Sequence, residues 1–136
     1  MLRLAFLGCF AMASMGSPVA VEPGKRMSNA VVHGGLVYTA GTTCDVEPET
    51  KDVRQQTLDA LEELDRVLAL CGSDKDHIIS MQVWITDMAK FAEMNAVYDA
   101  WVSQKCPPGR ACVEAGLASP YKVEFKCIAA QKPKTN

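Results

Sequence analysis

The sequence has no excess of basic residues, no apolar run long enough to cross a membrane and no cysteine spacing typical of a metal site. Its 136 residues contain 14 Lys and Arg against 16 Asp and Glu, which gives a formal net charge of −2. Nucleic acids and anionic membranes are bound through basic surfaces, so the charge balance disfavours both as partners. The six cysteines form no Cys-x-x-Cys pair and are accompanied by only two histidines, which leaves a metal site with little support.

The sequence also lacks the short motifs that by themselves indicate a phosphate-binding, hydrolase or zinc-protease site. There is no phosphate-cradling glycine loop, no nucleophile elbow and no His-Glu-x-x-His. With 49% hydrophobic and 22% charged residues, the composition is that of one globular domain, and intrinsic disorder is excluded. A chain of this length buries roughly two thirds of its unfolded surface. We therefore expect a core that forms without disulfides, and cysteines that are free thiols.

The N-terminal segment differs in composition from the rest of the chain. Residues 1–18 contain one basic and no acidic residue, and the apolar run 4–13 is too short to span a bilayer as a helix. Three interpretations stay open: a secretory signal with Arg3 as its positive end, an organellar presequence, or an extension without a role. We favour the last two, which predict a cytoplasmic or mitochondrial protein. The domain then covers 19–131, followed by a disordered tail over 132–136.

Hydrophobic periodicity predicts short strands and two helices. Two β-rich runs that flank Gly34 and Gly35 are typical of a hairpin. The longer helix has Thr50 as its candidate N-cap and an apolar stripe that begins at Leu58. The predicted strands cover 19–22, 30–33, 36–40, 78–85, 110–115 and 122–130. The predicted helices cover 52–71 and 87–103.

The order of these elements predicts an α+β fold with a mixed sheet. Strand–helix–strand crossovers favour parallel strand pairs, with both helices on one face of the sheet. Alternation along 78–85 assigns Ile79 to one face and Ile78 and Trp84 to the other. We expect the face with Ile78 and Trp84 to lack a helical cover, and subunits to associate there.

Arg110 is the most informative residue for binding. It follows Pro-Pro-Gly and opens a strand, so that a rigid turn fixes the direction of its side chain. A guanidinium presents a planar fork that suits a carboxylate in two-point contact. From spacing alone, the more frequent alternative is an exposed arginine at a strand end, or one that pairs with Glu114 or Glu124.

Four further residues are candidates, each with an ordinary structural alternative. Glu124 lies within an apolar strand and is either part of a solvated sheet face or a carboxylate near Arg110 that activates water. Cys112 alternates with Arg110, and because neither histidine is placed as its base, packing is favoured over nucleophilic catalysis. Asn95 on a helical stripe requires a hydrogen bond. Gly41 at a strand end either admits a ligand closely or forms a plain turn.

Five stretches taken together resemble one family. They are RMSNAVVHGGLVYTAG (26–41), QTLDALEELD (56–65), FAEMNAVYDAW (91–101), PPGRACVEA (107–115) and YKVEFKCIAA (121–130). The chain resembles the Rid family, also called the YjgF/YER057c/UK114 family, of reactive-intermediate deaminases, over about residues 19 to 131. The specific part of the match is R-x-C-V-E, followed by V-E on the last strand.

The resemblance implies a chorismate-mutase-like fold and a homotrimer whose sheets form a central barrel with clefts between subunits. The family activity is hydrolysis of 2-aminoacrylate-type enamines and imines to 2-keto acids and ammonia, without a cofactor or metal. It implies that Arg110 grips the substrate carboxylate, that Glu124 positions the attacking water and that Cys112 lines the cleft. Gly41 is then a backbone contact for the substrate, and Asn95 both supports the cleft and contributes to binding.

Two positions depart from the family pattern, and two other functions stay open. Met27 stands where the best-studied deaminases carry an aromatic residue, and Ala40 where they often carry a serine. The expected small-molecule partner is an imino or keto acid. One alternative is a non-catalytic carboxylate-binding or interaction trimer of the same fold. The other is RNA cleavage, which the net charge and the absence of a histidine pair disfavour.

Overall fold

A computed structural model of the chain describes residues 16–135. The predicted targeting segment lies for the most part outside the described residues. Within residues 16–135, no helix combines the length and apolar character that a membrane crossing requires.

The domain is an α+β fold in which two helices cover one face of a mixed sheet. The strands are β1 (Val19–Pro23), β2 (Ser28–His33), β3 (Leu36–Thr39), β4 (Ile78–Ile85), β5 (Gly109–Glu114) and β6 (Val123–Ala130). The helices are α1 (Val53–Leu70) and α2 (Phe91–Trp101). The sheet order is β1-β2-β3-β6-β4-β5, in which β4 and β5 are parallel and the other neighbours are antiparallel. The predicted fold class is confirmed, including the parallel pair joined by a helical crossover.

α1 begins two residues later than the candidate cap Thr50 implied. Asp52 is the N-cap: its carboxylate accepts a hydrogen bond from the Gln55 amide at 2.9 Å, and the Gln55 side chain accepts one from the Asp52 amide at 3.0 Å. This reciprocal pair satisfies two amides that a helix start leaves without partners. The buried stripe of α1 excludes Leu58, which is 49% exposed, so that part of the prediction is wrong. The buried leucines of the helix are Leu61, Leu64 and Leu68.

The predicted faces of β4 are wrong at its first two residues. The pairing of β4 with β6 shifts register between Ile78 and Ser80. The irregularity turns Ile78 into the core at 2% exposure and leaves Ile79 51% exposed. Strict alternation fails here because a bulge inserts one residue without a partner. Trp84 does lie on the sheet face that the helices leave uncovered, which we call the open face.

The second helix is shorter than its predicted span 87–103. Asp87 caps a single 3₁₀ turn, Met88–Lys90, through a hydrogen bond from the Ala89 amide at 2.9 Å, and α2 proper follows from Phe91 to Trp101. The five described cysteines are free thiols, as expected. They are Cys44, Cys71, Cys106, Cys112 and Cys127.

Candidate functional site

Arg110 lies exposed on the edge strand β5 and turns toward α2. In the parallel ladder it is opposite Met81, a buried residue on the helix-covered face of β4. Its Nη1 donates a hydrogen bond to Oδ1 of Asn95 at 2.8 Å. Its guanidinium carbon lies 4.6 Å from the centre of the Tyr98 ring and 5.8 Å from that of Phe91. The predicted hydrogen bond of Asn95 is therefore one that orients the arginine.

No carboxylate of residues 16–135 forms an ion pair with Arg110. Glu114, one of the two alternatives, instead accepts a hydrogen bond from the Met88 amide at 2.9 Å. A guanidinium carries five N–H donors, and Asn95 accepts from one nitrogen. The remaining donors suit an external anion with two oxygens, such as a carboxylate.

Cys112 is half-buried on the same face of β5 and packs against the core. Burial raises the pKa of its thiol above the ordinary value, and the nearby positive charge of Arg110 opposes this effect only in part. The thiol is thus protonated at neutral pH and a poor nucleophile. Packing, the favoured interpretation, agrees with this position.

Glu124 and Gly41 form a second cluster, in which the glycine makes room for the carboxylate. A Cβ added to Gly41 would lie 1.7 Å from Oε1 and 2.6 Å from Cδ of Glu124. The neighbouring Thr42 and Phe125 fix this approach through two backbone hydrogen bonds, of 2.7 and 3.0 Å. The structure gives Gly41 a role that sequence analysis missed: it accommodates the glutamate. Its predicted backbone contact with substrate stays a prediction.

Arg110 and Glu124 lie on opposite faces of the sheet. β4 separates their strands, with Met81 opposite Arg110 and Trp84 opposite Glu124. Met81 and Trp84 are three residues apart, and side chains at odd separations point to opposite faces of a strand. Within one subunit the expectation that Glu124 lies near Arg110 is therefore wrong. We call Arg110, Asn95 and Cys112 the arginine half-site, and Glu124 with Gly41 the glutamate half-site.

The two departures from the family pattern differ in exposure. Met27 is 56% exposed in the turn between β1 and β2, where its carbonyl accepts a hydrogen bond from the Gly24 amide at 2.8 Å. Ala40 is half-buried directly before Gly41. Sequence analysis also missed Tyr98 as a neighbour of the arginine. The signal was present as the i, i+4, i+7 spacing of Phe91, Asn95 and Tyr98.

Comparisons with known proteins agree with the fold and with the motifs. The family model described as Endoribonuclease L-PSP matches residues 18–131. A RutC family protein of Haemophilus influenzae is 39% identical over 110 residues, which cover 80% of this chain and 94% of that protein. The RutC family protein YoaB of Escherichia coli is 36% identical over 113 residues, which cover 82% and 96%.

A solved structure gives the same result in three dimensions. The crystal structure of a YjgF-family protein from Neisseria meningitidis superposes with a TM-score of 0.82 at 39% identity, covering 87% of this chain and 98% of that one. The family model spans nearly the whole described domain, and the curated relatives are matched over more than nine tenths of their length. The chain therefore belongs to the Rid (YjgF/YER057c/UK114) family.

Proposed function

We propose that this protein hydrolyses 2-aminoacrylate-type enamines and their imine tautomers to 2-keto acids and ammonia. The observation that carries the proposal is the Arg110 guanidinium, which is exposed, held by Asn95 and without an ion-pair partner among residues 16–135. A planar fork of this kind suits the carboxylate that every 2-imino acid carries.

The active site in this proposal lies between subunits. The sheet keeps the arginine and glutamate half-sites apart within one chain, so a complete site needs the arginine of one subunit and the glutamate of another. An assembly in which the β5 edge of each subunit covers the open face of the next satisfies this requirement. The homotrimer implied by the family resemblance closes such a ring with equivalent contacts.

The chemistry is mainly a matter of orientation. The imine carbon is already electrophilic, so the site has to hold the substrate and deliver water to the correct face. Water adds to the C=N carbon and gives a carbinolamine, Glu124 takes one proton from the water, and the same proton is returned to the nitrogen. Glu124 then takes the hydroxyl proton of the carbinolamine and passes it to the amino nitrogen, so that the C–N bond breaks, neutral ammonia leaves and the carbinol oxygen becomes the keto oxygen. These steps require no electron transfer and no group beyond the two half-sites.

The activity is tested by an assay in which a serine dehydratase generates 2-aminoacrylate beside this protein, and keto acid is followed in time. We expect faster keto-acid formation with the protein than without it. Arg110→Ala removes about two charge-assisted hydrogen bonds of roughly 1.5–3 kcal/mol each, which corresponds to a loss of about 10²- to 10⁴-fold in kcat/KM. Keto acid formed at the uncatalysed rate with the unaltered protein would exclude the proposed activity.

The composite site has a sharper test, in which two inactive variants are unfolded together and refolded as mixed assemblies. Arg110→Ala keeps an intact glutamate half-site and Glu124→Gln keeps an intact arginine half-site. When equal amounts are mixed at random, Arg110 is present on one side of an interface in half of the cases and Glu124 on the other side in half. About a quarter of the interfaces then contain both groups, so activity should return to roughly a quarter of that of the unaltered protein. Each variant refolded alone is the control. No recovery in assemblies shown to be mixed would contradict a site shared between subunits.

The non-catalytic alternative gives a different pattern in the same variants. A carboxylate-binding trimer needs Arg110 for binding but not Glu124 for chemistry. Glu124→Gln would then leave keto-acid binding and trimer assembly unchanged. Loss of turnover with retained keto-acid binding in Glu124→Gln supports the hydrolase instead.

The description of the matching family model names an endoribonuclease, and RNA cleavage is therefore a second candidate activity. RNA binding depends on Lys and Arg that neutralise phosphates, whereas this chain carries a net charge of −2. RNA cleavage is therefore not proposed for it.

A further inference from the structure

One face of α2 contacts the Arg110 guanidinium through three side chains, those of Phe91, Asn95 and Tyr98. Phe91, Asn95 and Tyr98 follow one another at i, i+4 and i+7, so their side chains lie on the same side of the helix. The guanidinium carbon is 4.6 Å from the Tyr98 ring centre and 5.8 Å from that of Phe91, within the range in which an arginine interacts with an aromatic face. Asn95 accepts a hydrogen bond from the same group at 2.8 Å. The arginine is thus contacted by two rings and one amide oxygen.

The Tyr98 ring is itself held in the core by its stack on Phe125. It is 5% exposed and stacks on Phe125, with 6.3 Å between ring centres and 6° between planes. On another side it contacts Trp101 at 5.8 Å with a tilt of 51°. Phe125 belongs to the central strand β6, so the stack connects an exposed group at the sheet edge to the most buried part of the domain.

An arginine on an exposed edge strand would otherwise sample many rotamers. Its binding of a ligand would then require all of that freedom to be lost at once. A buried ring beneath the guanidinium removes part of this freedom before the ligand arrives. A lysine at this position could not stack on the Tyr98 ring in the same way, because its ammonium group is not planar.

We propose that Tyr98 is a positioning residue for Arg110: its buried ring fixes the plane of the guanidinium, so that the N–H donors not bonded to Asn95 face an incoming carboxylate. The inference concerns carboxylate binding and rests on the proposed function only for its kinetic consequences. Tyr98 acts through Arg110 and does not itself touch the substrate.

The test compares three changes on the same helix. Tyr98→Phe keeps the ring, and Tyr98→Leu removes it. Trp101→Leu is the matched control, because it removes a ring that contacts Tyr98 but does not contact Arg110. The first measurement is the ¹⁵Nε–¹Hε signal of Arg110 in the ligand-free protein, which reports the order and ring-current environment of the guanidinium. The second is the dissociation constant of 2-oxobutanoate, a keto acid of the expected product class.

With the Tyr98 ring removed, we expect the Arg110 signal to lose most of its ring-current shift, because only the more distant Phe91 ring remains, and the 2-oxobutanoate dissociation constant to rise roughly three- to thirty-fold. KM should rise in parallel, with little change in kcat. Tyr98→Phe should restore the values of the unaltered protein, and Trp101→Leu should keep them. A merely structural role would lower the melting temperature of both leucine variants without separating them in binding.

Two results would overturn the inference. One is an Arg110 signal and a dissociation constant unchanged in Tyr98→Leu. The other is equal weakening in Tyr98→Phe and Tyr98→Leu, which would assign the effect to the hydroxyl. If Tyr98→Leu fails to fold, Tyr98→Met serves as the variant that lacks a ring but has a similar volume. If the dehydratase-coupled assay shows no activity of the unaltered protein, the proposed function fails, while the Arg110 signal and the 2-oxobutanoate dissociation constant still decide this inference.

Discussion

Gly41→Ala is a small change that should separate the proposed catalysis from folding. A methyl group at position 41 would lie 1.7 Å from Oε1 of Glu124, whereas ordinary contacts begin at 3.4 Å. The carboxylate oxygen therefore has to move by about 1.7 Å, and it can do so because it ends a flexible side chain. A misplacement of about 1 Å can reduce turnover by about 10²-fold when a group must deliver water in one direction.

The expected result is a loss of kcat of about 10²-fold that exceeds any weakening of 2-oxobutanoate binding, because the arginine half-site, which holds the carboxylate, is not changed. The effect on folding should be small. Moving the glutamate to another rotamer costs about 1 kcal/mol, and replacing glycine by alanine recovers a similar amount from the unfolded chain. We therefore expect a melting temperature within about 4 °C of that of the unaltered protein. The assay is the dehydratase-coupled measurement combined with thermal unfolding.

Gly116→Ala is the matched control, because a Cβ at that glycine meets no atom within 4 Å. It makes the same chemical change at a position without a neighbour, so kcat and binding should both stay at the unaltered values. Full activity in Gly41→Ala would contradict this prediction, since it would mean that the position of Glu124 next to Gly41 has no part in turnover.

Three further predictions concern stability and thiol reactivity. Asp52→Ala removes the cap of α1 and should lower the unfolding free energy by about 0.5–2 kcal/mol in a urea titration, and an unchanged midpoint would contradict the capping role. Hydrogen bonds from Arg66, and then from Asn29, lower the pKa of Glu22 from its usual 4.5 to about 2. The stability from this pair is thus present above pH 4.5 and lost as the pH falls toward 2. Glu22→Gln should therefore lower the melting temperature at pH 7 but not at pH 2, and equal shifts at both would refute the pairing. Iodoacetamide at pH 7 should label exposed Cys106 before Cys112, whose pKa is raised by burial, and peptide mapping that finds the reverse order would contradict this.

Most of the fold could be predicted from the sequence because its elements are specified locally. Gly34 and Gly35 both adopt positive φ, at 58° and 77°, as a tight hairpin turn requires. The leucine stripe of α1 and the two prolines that follow α2 are equally local signals. The start of α1 was predicted incorrectly because Thr50 and Asp52 are both plausible caps, and only Asp52 has a glutamine three residues later.

The error in β4 has a different origin. Nothing in the letters Ile78-Ile79-Ser80 indicates which isoleucine is buried, because both suit a strand. The choice depends on the pairing with β6, where the register shifts. A bulge is set by the partner strand and by the packing of the two layers, and a single sequence does not contain that information in readable form.

The relation between Arg110 and Glu124 has the same origin and a larger consequence. Alternation gives the residues that share a face within one strand, but only the register across β4 relates two strands to each other. That register separates opposite charges which would attract each other if they shared a face. A guanidinium paired with its own carboxylate has fewer donors left for a ligand, and the paired carboxylate is a weaker base for water. The sheet prevents this pairing within one subunit. In the proposed interface the substrate carboxylate takes the free donors of the arginine, which leaves the glutamate of the other subunit to act on water.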